Sequence, residues 1–200
     1  MVQHGAKVVV LPEKIARLDD PAADRVRTLL GQVASDNAVY LLAGVALLKS
    51  DHRENRAWLF APTGELIGDY AKHHLLPGLE ASFTSGREFV VRSVGTSRIG
   101  IAICKDMDFP TLGRRYAALG VEALLVPAWD FDQDAWWHAR MAILRGVESG
   151  FAVVRSARRG LLTVSDRYGR IVDVTASWSA PVASLAVLAP FGSGEALRST

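Results

Sequence analysis

Short, almost entirely apolar segments alternate with amphipathic segments along this chain, and this alternation constrains the fold more than any other feature. Four apolar segments cover residues 7–11, 38–48, 98–103 and 121–127. They predict strands buried on both faces, because a strand with one face in water alternates apolar and polar residues. Such strands interleaved with helices indicate a layered α/β fold.

The segments between these strands predict three helices, one hairpin and one long loop. Apolar residues at helical spacing predict helices over residues 21–35, 110–119 and 134–148. Residues 56–70 read as a hairpin around a Pro-Thr-Gly turn. Residues 71–89 have no clean period. A loop of that length inside a compact domain is usually functional, so we expect it to contribute to a site.

Composition limits the classes of protein that fit. A chain of 200 residues, half of them hydrophobic, can bury a core as one domain without crosslinks. The net charge is only +2 and the basic residues are scattered, which argues against nucleic-acid binding. The longest apolar stretch, residues 38–48, is too short to span a bilayer. The single cysteine excludes an intrachain disulfide and most thiolate metal sites.

That cysteine, Cys104, ends an apolar strand in the stretch GIAICKDMDFP, and another strand, VVVLPE, ends at Glu13. If these strands are parallel neighbours, both side chains emerge at the carboxyl edge of one sheet, where open α/β folds bind ligands. A helix beginning at Pro110 would favour thiolate over thiol. Glu13 would be the general base for the thiol, and Lys72 would supply a cation for developing negative charge.

Each of these residues also has an ordinary structural interpretation. A lone cysteine at the end of a buried strand usually packs as a small hydrophobe. Glu13 and Lys72, taken singly, would be solvated surface charges. His73 and His74 are adjacent, so their side chains diverge, and no third ligand has suitable spacing. We therefore expect no metal site.

Two further groups of residues favour structural roles. Trp136 and Trp137 lie on a predicted helix and indicate core or interface packing rather than a ligand-binding box. Arg155, Arg158 and Arg159 predict a solvated rim rather than a phosphate site.

The combination of motifs is more specific than any single residue. LPE, KHHLLPGLE and ICKDMDFP, in that order, resemble the nitrilase superfamily of carbon–nitrogen hydrolases, which places a Glu, a Lys and a Cys in motifs of this kind. The segment WWHARMAILRGVESGFAVVRSARRG is similar to the family's helix and late strands, and the resemblance covers residues 7–174. It implies a four-layer α-β-β-α sandwich that uses no cofactor. We expect this fold to lack its first strand and most of its first helix, leaving residues 1–200 as one N-terminally incomplete domain.

The resemblance also assigns catalytic roles. Cys104 matches the nucleophile, Glu13 the general base, and Lys72 the cation that stabilises a tetrahedral intermediate. An acyl-thioester would form on Cys104 and be released by water or by an amine.

Supporting positions follow from the same resemblance. Glu80 matches a second acidic residue that helps to hold the site, and the backbone N–H of Lys105 would join the oxyanion hole. Relatives usually have an aromatic residue at position 105, so its lysine either depresses the thiol pKa or signals an altered pocket. Asp106 stands where relatives carry Glu or Asp. Trp129 and Phe131, which follow the strand at 121–127, are expected to line the substrate pocket.

Three functions are compatible with these residues. The first is an amidase- or nitrilase-like hydrolase of a small carbon–nitrogen substrate, which we expect to be cytoplasmic and homodimeric. The second is the catalytic domain of an apolipoprotein N-acyltransferase-like enzyme, on the periplasmic side of a membrane, whose membrane-embedded part would lie outside this chain. The motifs KHHLLPGLE and RGVESGFAVVRSARRG look closest to that branch. The third is an inactive or binding-only fragment.

Overall fold

A computed structural model describes residues 5–131, 133–178 and 183–185. Within these ranges the chain forms three α-helices and twelve strands. The helices are α1 (Asp20–Asp36), α2 (Pro110–Ala118) and α3 (Ala135–Ser149). The strands are β1 (Val8–Val10), β2 (Ala16–Leu18), β3 (Tyr40–Leu48), β4 (Arg53–Phe60), β5 (Leu66–Ala71), β6 (Phe83–Thr84), β7 (Val91–Val94), β8 (Ser97–Ile101), β9 (Ala123–Trp129), β10 (Ala152–Arg158), β11 (Leu161–Ser165) and β12 (Ile171–Ala176).

The strands form two mixed sheets of six strands each. The first sheet has the order β1-β3-β4-β5, with β2 also paired to β3 and β6 to β4. The second has the order β12-β11-β10-β9-β8-β7. Strand β1 runs parallel to β3, and β9 runs parallel to both β8 and β10. The carboxyl ends of β8, β9 and β10 therefore lie together at one edge of the second sheet.

The two sheets pack face to face between helical layers, which confirms the predicted α-β-β-α sandwich. Leu41 and Val45 of β3 pack towards α1, whereas Leu42 of the same strand packs against the second sheet. The far face of the second sheet packs beneath α2 and α3, where Leu124 contacts the cluster that includes Tyr116. Strand β3 is thus buried on both faces, as its apolar run predicts.

The three helices agree with the predicted segments to within two residues at each end. At the start of α1 the Asp19 side chain accepts a hydrogen bond from the Ala22 N–H at 2.9 Å, and Pro21 occupies the first turn. In the part of the chain that the structure describes, no helix is both long and apolar enough to cross a membrane. Residues 71–89 are irregular apart from the end of β5 and the two-residue strand β6, as expected.

Three strands, β2, the two-residue β6 and β7, were absent from the sequence prediction. Strand β2 is three residues long, and β7 has two polar residues among its four and lies at the edge of the second sheet. None of the three has the apolar run that identifies the central strands, because short and edge strands need less burial.

Candidate active site

A buried lysine lies between two buried carboxylates at the centre of the candidate site. The Lys72 ammonium is 3.0 Å from Glu13 Oε1 and 2.9 Å from Glu80 Oε2. None of the three side chains is more than 1% exposed. The interpretation of Glu13 and Lys72 as solvated surface charges is therefore wrong. Their charges compensate one another away from water, which is the usual condition for burying ionised groups.

Glu13 is held where β1 ends, in close contact with β3. A Cβ atom at Gly44 would lie 2.6 Å from the Pro12 carbonyl oxygen and 2.7 Å from Glu13 Cα. Only glycine leaves room for this approach. The Ile15 N–H donates to the Gly44 carbonyl at 2.8 Å, and the Glu13 N–H donates to the Ala128 carbonyl of β9 at 3.2 Å. The second bond ties Glu13 to the opposite sheet.

Lys72 and Glu80 both come from the irregular loop that begins where β5 ends. The Lys72 N–H donates to the Asn55 carbonyl on β4 at 2.9 Å, which fixes the start of the loop. Glu80 is held by a turn in which its own N–H donates to the Leu76 carbonyl at 2.9 Å and its Oε2 accepts the Leu76 N–H at 2.8 Å. The hydrogen bonds of Lys72 and Glu80 therefore hold the loop in a fixed conformation.

Two residues of this cluster were missed by sequence reasoning. The Asn55 amide nitrogen donates to Glu13 Oε1 at 2.6 Å and to Glu80 Oε1 at 2.7 Å. The Lys14 ammonium lies 2.7 Å from Glu80 Oε1 and 3.5 Å from Glu13 Oε1. Asn55 belongs to a polar stretch that reads as a turn, so the sequence carries no signal for it. Lys14 directly follows Glu13, and that adjacency was a usable signal.

Attraction between opposite charges outweighs the effect of burial on the pKa values of Lys72 and Glu80. Burial lowers the pKa of Lys72, but the negative charges of Glu13 and Glu80 outweigh it, so that the pKa is raised overall. Burial raises the pKa of Glu80, but the Lys72 charge and the hydrogen bond from Lys14 outweigh it and bring the pKa to about 2. Near neutral pH the site therefore holds an ammonium at Lys72 and a carboxylate at Glu80.

Cys104 opens a 3₁₀ turn, Cys104–Asp108, directly after β8. Its φ of 45° lies in the left-handed region, which a non-glycine residue adopts only when the surrounding structure holds it there. The side chain is partly buried, and Sγ donates to the Trp129 carbonyl at 3.6 Å. The nucleophile candidate thus projects from a constrained turn at the carboxyl end of the second sheet.

The Cys104 thiol is protonated in the resting site. Burial raises its pKa to about 12, the negative charge of Glu13 acts in the same direction, and Lys72 and Arg155 oppose them only in part. The expectation that a helix end favours thiolate is therefore wrong. The α-helix begins at Pro110, six residues later, whereas the carboxylate of Glu13 is close enough to act on the sulfur.

Glu13 and Cys104 come from different sheets, contrary to the expectation that their strands are parallel neighbours. Glu13 follows β1 in the first sheet, and Cys104 follows β8 in the second. Packing of the sheets face to face brings the two strand ends together, and the hydrogen bond from the Glu13 N–H to Ala128 crosses between them.

Asp106 holds the turn that carries Cys104. Its Oδ2 accepts the Ile103 N–H at 2.9 Å and the Tyr70 hydroxyl at 2.8 Å, and its Oδ1 accepts the His74 N–H at 2.8 Å. Asp106 Oδ1 also lies 3.0 Å from His74 Nδ1, and the His73 ring stacks on Tyr70. The supporting position predicted for Asp106 is a buried carboxylate that joins the two sheets.

The remaining predicted residues, Lys105, Trp129 and Phe131, lie at or just beyond the carboxyl ends of β8 and β9. Trp129 ends β9, and its ring lies 4.4 Å from the guanidinium carbon of Arg158. Phe131 is 46% exposed. The Lys105 ammonium pairs with Asp108 at 2.5 Å, within the same 3₁₀ turn.

The arginines near the end of β10 have two different environments. Arg158 and Arg159 are exposed, as a solvated rim requires. Arg155 is buried, and its guanidinium pairs with the buried Asp130, so the rim interpretation is wrong for this residue. Asp130 also accepts from His138 Nδ1 at 3.2 Å, and this hydrogen bond raises the pKa of His138. A buried cation needs such a partner.

The α-β-β-α sandwich thus holds a buried Glu-Lys-Glu cluster, and the charges of Glu13 and Lys72 act on the Cys104 thiol. Residues 1–180 match the family model described as carbon–nitrogen hydrolase. The chain belongs to the carbon–nitrogen hydrolase family.

Two kinds of relative are similar in sequence. An apolipoprotein N-acyltransferase of Geobacter metallireducens is 29% identical over 147 residues, which are 60% of this chain and 27% of that protein. A nitrilase of Pyrococcus abyssi is 31% identical over 140 residues, which are 63% of this chain and 53% of that protein. The matches thus span about a quarter of the first relative's length and about half of the second's.

Solved structures resemble the fold closely. An amidase from Nesterenkonia sp. AN1, a mutant in which acrylamide has added to the active-site cysteine, superposes with a TM-score of 0.80 at 22% identity. The alignment covers 88% of this chain and 78% of the amidase. At this level of identity the similarity establishes the fold.

Proposed function

We propose that this chain hydrolyses a small carbon–nitrogen substrate, in the manner of an amidase, through an acyl-thioester on Cys104. The observation that carries the proposal is the buried Lys72, which lies within hydrogen-bond distance of Glu13 and Glu80 and acts electrostatically on the Cys104 thiol. An ion cluster of this kind is costly to bury. It is understandable as a preorganised site for moving one proton and stabilising one oxyanion.

In the first half-reaction the Cys104 sulfur attacks the carbonyl carbon of an amide. Because the thiol is protonated at rest, its proton passes to Glu13 as the carbon–sulfur bond forms, which is general-base catalysis. The carbonyl oxygen becomes an oxyanion that accepts hydrogen bonds from the Lys72 ammonium and the Lys105 backbone N–H. The carbon–nitrogen bond then breaks, Glu13 returns its proton to the leaving nitrogen, and the acyl group remains on sulfur.

In the second half-reaction water replaces the amine. Glu13 removes a proton from the water as its oxygen attacks the thioester carbon, and the oxyanion again forms beside Lys72. Cleavage of the carbon–sulfur bond releases a carboxylic acid, and Cys104 regains a proton. The Glu13 carboxylate and the Lys72 ammonium are held in place by Glu80, Asn55 and Lys14. The approach to the thiol is lined by Trp129 and Phe131.

The direct test is to trap the thioester. The parent chain and Cys104→Ala, Glu13→Gln and Lys72→Met variants are incubated with small aliphatic amides, and the protein mass and the released ammonia are measured. We expect turnover in the parent and none in Cys104→Ala. Loss of the general base lowers kcat by about 10²–10⁴-fold in Glu13→Gln. Folded protein that gains no acyl mass and releases no ammonia would support the binding-only alternative instead.

Acyl transfer to an amine is the second candidate, and it is supported by similarity to the Geobacter protein and to an apolipoprotein N-acyltransferase of Thermotoga maritima, 28% identical over 190 residues. Both reactions pass through the same thioester, but hydrolysis forms it from an amide and gives the acyl group to water, whereas transfer forms it from an acyl ester and gives the acyl group to an amine. Supplying an acyl-phospholipid with a peptide that has a free N-terminal amine separates them. Acylated peptide without amide hydrolysis would favour transfer, and ammonia release without acylated peptide would favour hydrolysis.

A further inference from the structure

In the part of the chain that the structure describes, the Lys14, Lys72, Lys105 and Arg155 cations each pair with a carboxylate, whereas the buried carboxylate of Asp106 is held by hydrogen bonds from Tyr70, Ile103 and His74. Glu13 and Glu80 share the ammonium groups of Lys14 and Lys72, so this cluster is neutral as a whole. The other pairs nearby are Arg155 with Asp130 and Lys105 with Asp108. Among the residues that the structure describes, the Arg158 guanidinium has no carboxylate within ion-pair distance.

Arg158 stacks on Trp129, the residue whose backbone contacts the candidate nucleophile. The two residues face each other in register at the ends of the parallel strands β10 and β9. The guanidinium carbon lies 4.4 Å from the centre of the indole ring, and the backbone carbonyl of Trp129 accepts the Cys104 thiol. Stacking on an aromatic ring restrains a guanidinium while its N–H donors remain available around its edge.

The Lys14 ammonium offsets the negative charge of Glu13 and Glu80 close to the Trp129 ring. Its ammonium lies 5.8 Å from the centre of the same indole ring and contacts Glu80 Oε1 at 2.7 Å. The side chain is 13% exposed, and the backbone φ of 50° lies in the left-handed region. Without this second ammonium, Glu13 and Glu80 would leave a net negative charge close to Trp129.

We propose that Arg158, stacked on Trp129, binds a carboxylate of the substrate, so that the substrate is an amide that also bears a carboxylate. This inference rests on the proposed hydrolysis at Cys104. A planar guanidinium donates two parallel hydrogen bonds to a carboxylate. One unpaired cation matches a single negative charge, whereas the double charge of a phosphate monoester would call for further cations, and those nearby are already paired.

The first experiment compares a monoamide of a dicarboxylic acid with the uncharged amide of the same length. The readout is the ratio of kcat/KM for the charged and the uncharged substrate. We expect the ratio to fall about tenfold or more in Arg158→Gln, mainly through KM, because the variant loses the charge-assisted hydrogen bonds to the substrate carboxylate. Arg158→Lys should restore part of it. Arg114→Gln, which removes an exposed arginine on α2, is the matched control and should leave the ratio unchanged.

The second experiment separates failure of this inference from failure of the proposed hydrolysis. Alkylation of Cys104 by iodoacetamide is followed with and without glutarate, in the parent and in Arg158→Gln. Protection by glutarate in the parent but not in the variant supports the carboxylate site even if no amide is turned over. Equal protection in both proteins, no protection in either, or stronger protection by inorganic phosphate than by glutarate would overturn it.

Discussion

The Tyr70 hydroxyl donates a hydrogen bond to Asp106 Oδ2 at 2.8 Å, and this bond joins the first sheet to the turn that carries Cys104. Tyr70 lies on β5, and Asp106 comes two residues after the cysteine. Both side chains are fully buried. The position of the sulfur relative to Lys72, which follows Tyr70 by two residues, therefore depends on this bond.

Replacement of Tyr70 by Phe should weaken both the fold and the site. The variant loses a buried hydrogen bond to a carboxylate, so we expect the free energy of unfolding to fall by about 1.5–3 kcal/mol. The kcat for amide hydrolysis should fall with it, because the turn at Cys104 is less firmly held. Tyr116→Phe is the control, since its buried hydroxyl donates to the Ile101 carbonyl of β8 and not to Asp106. Denaturant unfolding and activity per folded molecule are measured for both, and equal loss of activity would contradict a positioning role for Tyr70.

Gly44→Ala should displace Glu13. The added methyl group would lie within 2.7 Å of backbone atoms of Pro12 and Glu13, which cannot rotate away as a side chain can. We expect a loss of stability of about 1–3 kcal/mol and a larger proportional loss of activity. In the control Gly68→Ala, on β5, the nearest atom to the new methyl group belongs to the Val90 side chain, at 3.1 Å. Activity that falls equally in both variants would mean that Gly44 matters only for packing.

Titration of the thiol should give opposite shifts in two variants. Because Cys104 is the only cysteine, the ultraviolet absorbance of thiolate, measured against a Cys104→Ser reference, reports its pKa directly. We expect a pKa near 12 in the parent, a lower one in Glu13→Gln and a higher one in Lys72→Met, since the two charges act on the thiol with opposite signs. A parent pKa below the reference value of about 8.5 would restore the thiolate expectation.

Glu80 should make the stability of the protein sensitive to acid. Its folded-state pKa of about 2 lies below the unfolded value, so the unfolded state binds more protons between those two values. The stabilisation from the Glu80 carboxylate is complete above about pH 4.3, the unfolded pKa, and is lost as the pH falls towards 2. The free energy of unfolding, measured with denaturant between pH 2 and 7, should therefore depend less on pH in Glu80→Gln than in the parent. The exposed Glu65→Gln is the control, and a parent curve parallel to that of Glu80→Gln would contradict the expectation.

The homodimer expected from the sequence stays a prediction. Trp136 and Trp137 on α3 are 50% and 65% exposed, which suits an interface better than a core position. If α3 forms the interface, Trp137→Glu should convert a dimer into a monomer in sedimentation velocity. Leu29→Glu, a change at an exposed apolar residue on α1, should not. A parent chain that sediments as a monomer at all concentrations would contradict the predicted homodimer.

Local patterns in the sequence predicted the helices and the central strands correctly, and motifs suggested which residues react. The apolar runs identified β3, β8 and β9, because burial on both faces requires an unbroken run. Helical spacing identified all three helices. The resemblance of three motifs, in chain order, to the nitrilase superfamily proposed Glu13, Lys72 and Cys104 as the reactive residues, and a motif needs only its own neighbours in the chain to be recognised.

Only the tertiary structure decided how these residues meet. The sequence predicted one sheet edge for Glu13 and Cys104, but they follow strands of opposing sheets. It also predicted a thiolate, and it contained no signal for Asn55. Contacts between sheets and the pKa of a buried thiol depend on distances between residues far apart in the chain. Periodicity and spacing report neighbours along the chain, whereas packing of one layer on another sets those distances.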